Sequence, residues 1–308
     1  MGIISRGYLK NFICRYDKEV GVPYYNASDF KGLHEEKGTI TNSNKLKIHY
    51  YFYYYDGYKK DKIVLFCPGL SAGHCCYMME IASLAKKGYK VLTYDHQGCG
   101  ESEGKNMYSL NQPTRDVNAI LDHLKINKPI VLVGHSLGGY TSLNLVNMRK
   151  DIDKAIIISG FISMELEISG FVKSKFIIKG IMKYERKVQP ELFKLNNLEY
   201  LKETKDQLLF IHSEDDGMVP YKTSMKLVEE INNPNIRTCL LNNRKHNPNY
   251  SDNATQYMNE VFGNYYQLIK EKKIKTDADK IKYFKPVILE KLVEQDETII
   301  DMICDFIG

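Results

Sequence analysis

The sequence has no run near the roughly 20 apolar residues that a membrane-spanning helix needs, which argues against an integral membrane segment. Its N-terminus lacks a long apolar stretch followed by a cleavage site, so a soluble, unexported chain is expected. The opening Met1-Gly2 has Arg6 where a myristoylation signal wants Ser or Thr, which argues against lipidation. There is no long basic block: 43 Lys and Arg face 38 Asp and Glu, and a net charge of +5 over 308 residues does not suit a nucleic-acid partner. The seven cysteines, at positions 14, 67, 75, 76, 99, 239 and 304, are odd in number and lack paired metal-ligand spacing. They read as reduced thiols of a cytoplasmic protein. Internal repeats and low-complexity tracts are absent too.

What is present is a globular chain with 43% hydrophobic residues, long enough for one large core, so one domain with an insertion is expected rather than two domains. Residues 1–35 form a leader in which Ile4, Tyr8, Leu9, Phe12 and Tyr16 recur at helical spacing between basic residues. The pattern predicts an amphipathic helix packed on its own domain, with a membrane-surface or partner role as the alternative. Residues 36–308 form the main domain. Leu46, Ile48, Tyr50, Phe52 and Tyr54 alternate with more polar neighbours, and with Gly38 to Thr41 and the turn Asn42 to Asn44 they predict a leading hairpin.

Beyond the hairpin the pattern shifts to short apolar runs separated by helical stretches: Ile63 to Cys67, Val91 to Tyr94, Ile130 to Val133, Ala155 to Ile158, Leu208 to His212 and Ile236 to Leu241. Continuous apolar runs of this length are buried parallel strands, and their alternation with helices predicts an α/β fold with a doubly wound, mostly parallel sheet. Residues 161–205 carry many apolar side chains interspersed with lysines between two core strands, which predicts a helical cap insertion. Residues 248–292 predict an extra helical segment without chemistry, ahead of a last amphipathic helix near Glu294 to Ile307.

One segment points to chemistry. Gly134-His135-Ser136-Leu137-Gly138 follows the buried strand Ile130 to Val133 and opens a helix. In a sharp strand-to-helix turn the serine is strained and projects freely, and Gly134 and Gly138 leave room for the neighbouring chain. The N–H of Leu137, at the helix start, is placed to hold the oxyanion of an acyl-transfer intermediate.

With this turn in view, the chain resembles the α/β-hydrolases of the serine aminopeptidase (S33) and monoacylglycerol lipase group, over about residues 40–308. Cys67-Pro68-Gly69-Leu70 resembles the group's loop after the third strand, which implies Leu70 N–H as the second oxyanion donor. Asp95-His96-Gln97-Gly98-Cys99-Gly100-Glu101-Ser102 resembles its Asp-x-Arg-Gly-x-Gly-x-Ser turn. The segment from His212 to Pro220 resembles its His-Gly-x-x-Asp-x-x-Val-Pro stretch, a register that implies Asp216 as the triad acid, with Asp215 as the alternative. Pro68, Gln97, Ser213 and Lys245 depart from the group's usual His, Arg, Gly and small residue, which bears on loop rigidity and pocket shape. The Gln97 departure implies loss of an anchor for the oxyanion loop.

The base follows by elimination as well. The order Ser, acid, His requires a histidine after the acid, and of eight histidines only His246 lies beyond Asp216. His135 is expected to point away from the reacting face, and His74 with Cys75 and Cys76 is too compact for a usual zinc site. The expected activity is that of a serine hydrolase acting on a small-molecule carboxylic ester with an apolar, lipid-like acyl chain, with no metal or organic cofactor required. A peptidase or acyltransferase with the same triad, or a non-catalytic ligand receptor on the same fold, are the alternatives. The oligomeric state leaves no readable motif.

Overall fold

The computed structural model describes residues 2–308. Eight strands form one sheet: β1 (Leu33–Thr41), β2 (Lys47–Tyr55), β3 (Ile63–Cys67), β4 (Lys90–Tyr94), β5 (Ile130–His135), β6 (Ile152–Ile158), β7 (Gln207–Ser213) and β8 (Ile236–Leu241). Their order is β1-β2-β4-β3-β5-β6-β7-β8. The hairpin β1/β2 and the β2/β4 pair are antiparallel, and every other pair is parallel. The leading hairpin is longer than expected and begins inside the leader, at Leu33.

Alternation along the buried strands supplies two cores. Ile63, Leu65, Ile130 and Leu132 face one side, and Val64, Phe66, Val131 and Val133 face the other. The first side is covered by α3 (Gln112–Leu124) and α4 (Leu137–Met148), the second by α2 (Met78–Lys86) and, at the chain's end, α13 (Glu297–Ile307); α1 is Ile3–Asn11. Leu132 is fully buried, a placement that contributes about 2 kcal/mol of transfer free energy. Strands buried on both faces have no polar side to show, which is why they read as unbroken apolar runs.

Between β6 and β7 the chain inserts α5 (Met164–Phe171), α6 (Lys175–Val188), α7 (Pro190–Phe193) and α8 (Asn197–Glu203). Helices α1, α5 and α6 share a cluster built from Tyr8, Leu9, Ile168, Ile178, Ile181 and Met182. The buried Glu185 carboxylate ties it down, accepting hydrogen bonds from Tyr8 Oη at 2.7 Å and from Leu110 N–H at 3.1 Å. The leader helix therefore packs on its own domain. It stops at Asn11, short of Phe12 and Tyr16, because the chain there forms bridges from Cys14 to Asn106 and from Tyr16 to Cys99.

After β8, past the short helix α9 (Met225–Glu229) that precedes it, come α10 (Asp252–Lys270), α11 (Asp277–Phe284) and α12 (Leu289–Leu292). They bury Val261, Tyr265, Phe284 and Leu292 in a small core of their own. No described helix is long and apolar enough to cross a membrane.

Candidate active site

Three loops at the C-terminal ends of parallel strands, those after β5, β7 and β8, carry Ser136, Asp216 and His246. In open α/β sheets this edge is where ligands bind. Ser136 sits between β5 and α4 with φ 57° and ψ −121°, its N–H donating to Ile158 C=O at 2.9 Å. A non-glycine residue at positive φ is strained, and here the packing around it leaves no alternative. A Cβ at Gly134 would strike Gly138 O and Ser142 Oγ, and one at Gly138 would strike Cys67 O. Gly139 plays a similar part, unremarked in the sequence, because a Cβ there would lie 2.8 Å from Gly160 Cα. The glycines thus let α4 start directly against β3 and β6, and the serine is pushed outward.

His246 Nδ1 lies 2.8 Å from Asp216 Oδ2 and 3.0 Å from Oδ1. A carboxylate only accepts, so Nδ1 carries a proton, and in the neutral ring Nε2 is the acceptor. The Asp216 side chain is fully enclosed, and its Oδ1 also accepts the N–H groups of Met218 at 2.8 Å and Val219 at 3.0 Å. Burial pulls its pKa upward, but the hydrogen bond and charge of His246, the Val219 N–H and His212 outweigh that and hold it below the ordinary carboxylate value. Asp215 faces elsewhere: it accepts Ser213 Oγ at 2.7 Å and Lys245 N–H at 3.1 Å, and pairs with Lys245 Nζ at 2.8 Å. Slight burial raises its pKa and these partners bring it down to about 2.

Ser136, His246, Leu70 and Leu137 all line one cavity of about 420 Å³. Among the described residues the N–H groups of Leu70 and Leu137 and the Ser136 hydroxyl make no hydrogen bond. The walls are apolar, chiefly Phe12, Leu110, Phe161, Phe171, Met218 and Val219. Of the insertion's apolar residues only Phe161 and Phe171 reach it. Ile181 and Met182 are buried against α1, while Phe176 and Ile177 face outward, together with Lys173, Lys175, Lys179 and Lys183. A larger cavity of about 710 Å³ beside His74 and Asp95 holds none of the three residues.

Three features were not visible in the sequence. Glu167 lines the cavity with Oε2 buried and without a partner, and burial, reinforced by the Asp216 charge, raises its pKa to about 8. His135 does not point away: it lines the cavity, and its Nε2 lies 2.8 Å from His246 O. The loop carrying Leu70 keeps its anchor without an arginine at position 97. Asp95 Oδ1 accepts His74 N–H at 2.8 Å and meets its Nδ1 at 2.9 Å, while Oδ2 accepts Glu101 N–H at 3.0 Å. Gln97 instead binds Asn44 and Asn106 O, and Arg15 from the leader donates to the carbonyls of Gly100, Ser102 and Gly104 at 2.7 to 3.0 Å. No group of three His, Cys, Asp or Glu suited to a metal occurs among the described residues.

The chain is similar in fold to an esterase of Pyrococcus furiosus, Pf2001, with a TM-score of 0.58 at 21% identity, covering 83% of this chain and 98% of that one. With this strand order and this likeness, the chain has the α/β-hydrolase fold. The family model for serine aminopeptidase, S33, matches residues 58–200, a span that includes Leu70 and Ser136 and ends before Asp216 and His246. The chain is 25% identical over 255 residues to the human mitochondrial palmitoyl-protein thioesterase ABHD10, spanning 76% of this chain and 74% of the relative. It is 35% identical over 96 residues to an epoxide hydrolase of Caballeronia sordidicola and 32% over 98 residues to a proline iminopeptidase of Thermoplasma volcanium. In those cases it spans only 29% and 32% of the relative's length.

Proposed function

We propose that the chain is a serine hydrolase that cleaves a carboxylic ester through an acyl-enzyme, with Ser136, His246 and Asp216 as its triad. The observation that carries this reading is the His246 contact: Nδ1 is committed to a buried carboxylate, which leaves Nε2 as the ring's acceptor, in a residue that lines the same cavity as Ser136. Nε2 takes the hydroxyl proton as Ser136 Oγ attacks the carbonyl carbon, and the carbonyl oxygen turns negative against the N–H groups of Leu70 and Leu137. Collapse expels the alcohol, which leaves with the proton from Nε2. Water then repeats the sequence on the acyl-enzyme, releasing the acid and restoring the serine. The hydroxyl turns toward Nε2 when substrate enters, since such contacts tighten in the complex.

The apolar walls favour an acyl chain with some length. A buried methylene is worth about 0.8 kcal/mol, or about fourfold in kcat/KM. The p-nitrophenyl esters of acetate, butyrate and octanoate test this: efficiency should climb from acetate to butyrate and should vanish in His246→Ala. Equal turnover of all three would remove the acyl pocket, and an active His246→Ala would remove the base. An acyl thioester is the second substrate class, favoured by the relative named as a palmitoyl-protein thioesterase, which this chain spans over most of its length. The same steps would release a thiol instead of an alcohol.

A further inference from the structure

The two oxyanion donors and the base stand on different loops, and the sheet alone does not set those loops against each other. A chain of hydrogen bonds does. Gly69 N–H, next to Leu70, lies 3.1 Å from Tyr77 Oη. Tyr77 Oη lies 3.0 Å from His135 Nδ1, and His135 Nε2 lies 2.8 Å from the His246 carbonyl oxygen. The two ends fix the protons. An amide N–H only donates, so Tyr77 accepts there and its own proton goes to His135 Nδ1; a carbonyl only accepts, so His135 Nε2 carries the hydrogen. Every donor in the run then has one acceptor, with the imidazole neutral. We propose that Tyr77 and His135 are positioning residues, a relay that holds the oxyanion loop and the base loop in register with Ser136.

The surroundings suit that role. Both side chains are buried, and Tyr77 packs its ring on Phe66 with centroids 5.2 Å apart. The rings of His135 and His246 meet edge to face at 4.8 Å. Burial, reinforced by the nearby charge of His246, pushes the His135 pKa down to about 3, so the neutral ring persists at any working pH. The relay spans the full width of the candidate site: it starts beside one oxyanion donor, passes through the residue before the nucleophile and ends on the backbone of the base.

This inference rests on the serine-hydrolase reading, and its test separates the two. Tyr77→Phe keeps the ring and its packing but leaves Gly69 N–H and His135 Nδ1 without their partner. His135→Phe removes the tie to His246, whereas His135→Gln can still donate to that carbonyl from its side-chain amide. Initial rates on p-nitrophenyl butyrate and affinity for an alkyl trifluoromethyl ketone, which adds to the serine as a tetrahedral oxyanion, are measured for each, with melting curves.

A buried donor left unpaired is worth about ten- to a hundredfold in the step it supports. Tyr77→Phe and His135→Phe should lose that much in kcat and in ketone affinity, with KM within about twofold, and His135→Gln should recover part of the loss. Wild-type kcat and ketone affinity in Tyr77→Phe would overturn the relay, as would losses that follow the melting temperature with no recovery in His135→Gln. If His135→Phe does not fold, Tyr77→Phe decides alone. Ser136→Ala is the separating control: turnover that survives it refutes the serine reading, whereas an inactive Ser136→Ala beside fully active Tyr77→Phe refutes only the relay.

Discussion

Replacing Ser136 by glycine should make the protein more stable than replacing it by alanine. Ser136 is held at φ 57° and ψ −121°, a conformation that costs a residue with a Cβ on the order of 1–3 kcal/mol and that glycine adopts freely. Both substitutions delete a hydroxyl with no hydrogen-bond partner among the described residues, so they differ in the Cβ methyl and in the backbone freedom that follows from it. Against the relieved strain stands glycine's larger loss of backbone freedom on folding, about 0.5–1 kcal/mol. The balance is a gain of about 0.5–2 kcal/mol for Ser136→Gly over Ser136→Ala. An unfolding entropy near 2.1 cal/mol/K per residue gives about 0.65 kcal/mol/K for this chain, so the midpoint should rise by about 1–3 °C. Scanning calorimetry of the two inactive variants, side by side in one buffer, resolves such a difference. If Ser136→Gly melts at or below Ser136→Ala, the turn is not strained and the argument from its geometry is wrong.

Asp216→Asn should slow ester turnover by about a thousandfold or more, because an amide there favours the wrong tautomer of the base, while Asp215→Asn should stay within about threefold. Steady-state rates on p-nitrophenyl butyrate decide this, and the opposite order would move the acid by one position. Glu167→Gln should stabilise the protein at alkaline pH. The Glu167 pKa is raised from 4.5 to about 8, so the folded chain keeps a proton that the unfolded chain releases. Its contribution is fully present below pH 4.5 and is lost as pH rises through 8. The melting temperature of Glu167→Gln relative to wild type should therefore climb between about pH 5 and 8 and then level; a constant difference would mean that the carboxyl is not buried as described.

Most of the architecture could be read from the chain because its buried strands have no polar face. Runs such as Ile63 to Cys67 and Ile130 to Val133 admit little other than a central parallel strand, and Gly134 and Gly138 mark where the backbone of a helix meets a strand. What escaped reading depended on contacts between distant residues. Phe12 and Tyr16 keep helical spacing with Tyr8, yet they lie beyond the helix and line the cavity, because bridges to residues 99 and 106 compete with the next turn. Arg15 supplies a guanidinium to the turn after β4 from a distant part of the sequence, which no local motif announces. Glu167 stands in the insertion with no motif around it to mark it. Only the packing shows that its carboxyl is enclosed and faces the cavity. His135 was misjudged because β5 runs on to it: it continues the face of Val131 and Val133, and at the strand's end that face meets Tyr77 and the His246 loop.

The central claim is that Ser136 is the residue that forms the acyl-enzyme, and a fluorophosphonate probe tests it directly by bonding to an activated serine. Wild-type protein should gain the mass of one probe less hydrogen fluoride, since the serine oxygen displaces fluoride from phosphorus; peptide mapping should place it on Ser136, and labelling should fall away in Ser136→Ala and in His246→Ala. A label that maps to another residue, or that survives in Ser136→Ala, would contradict the account.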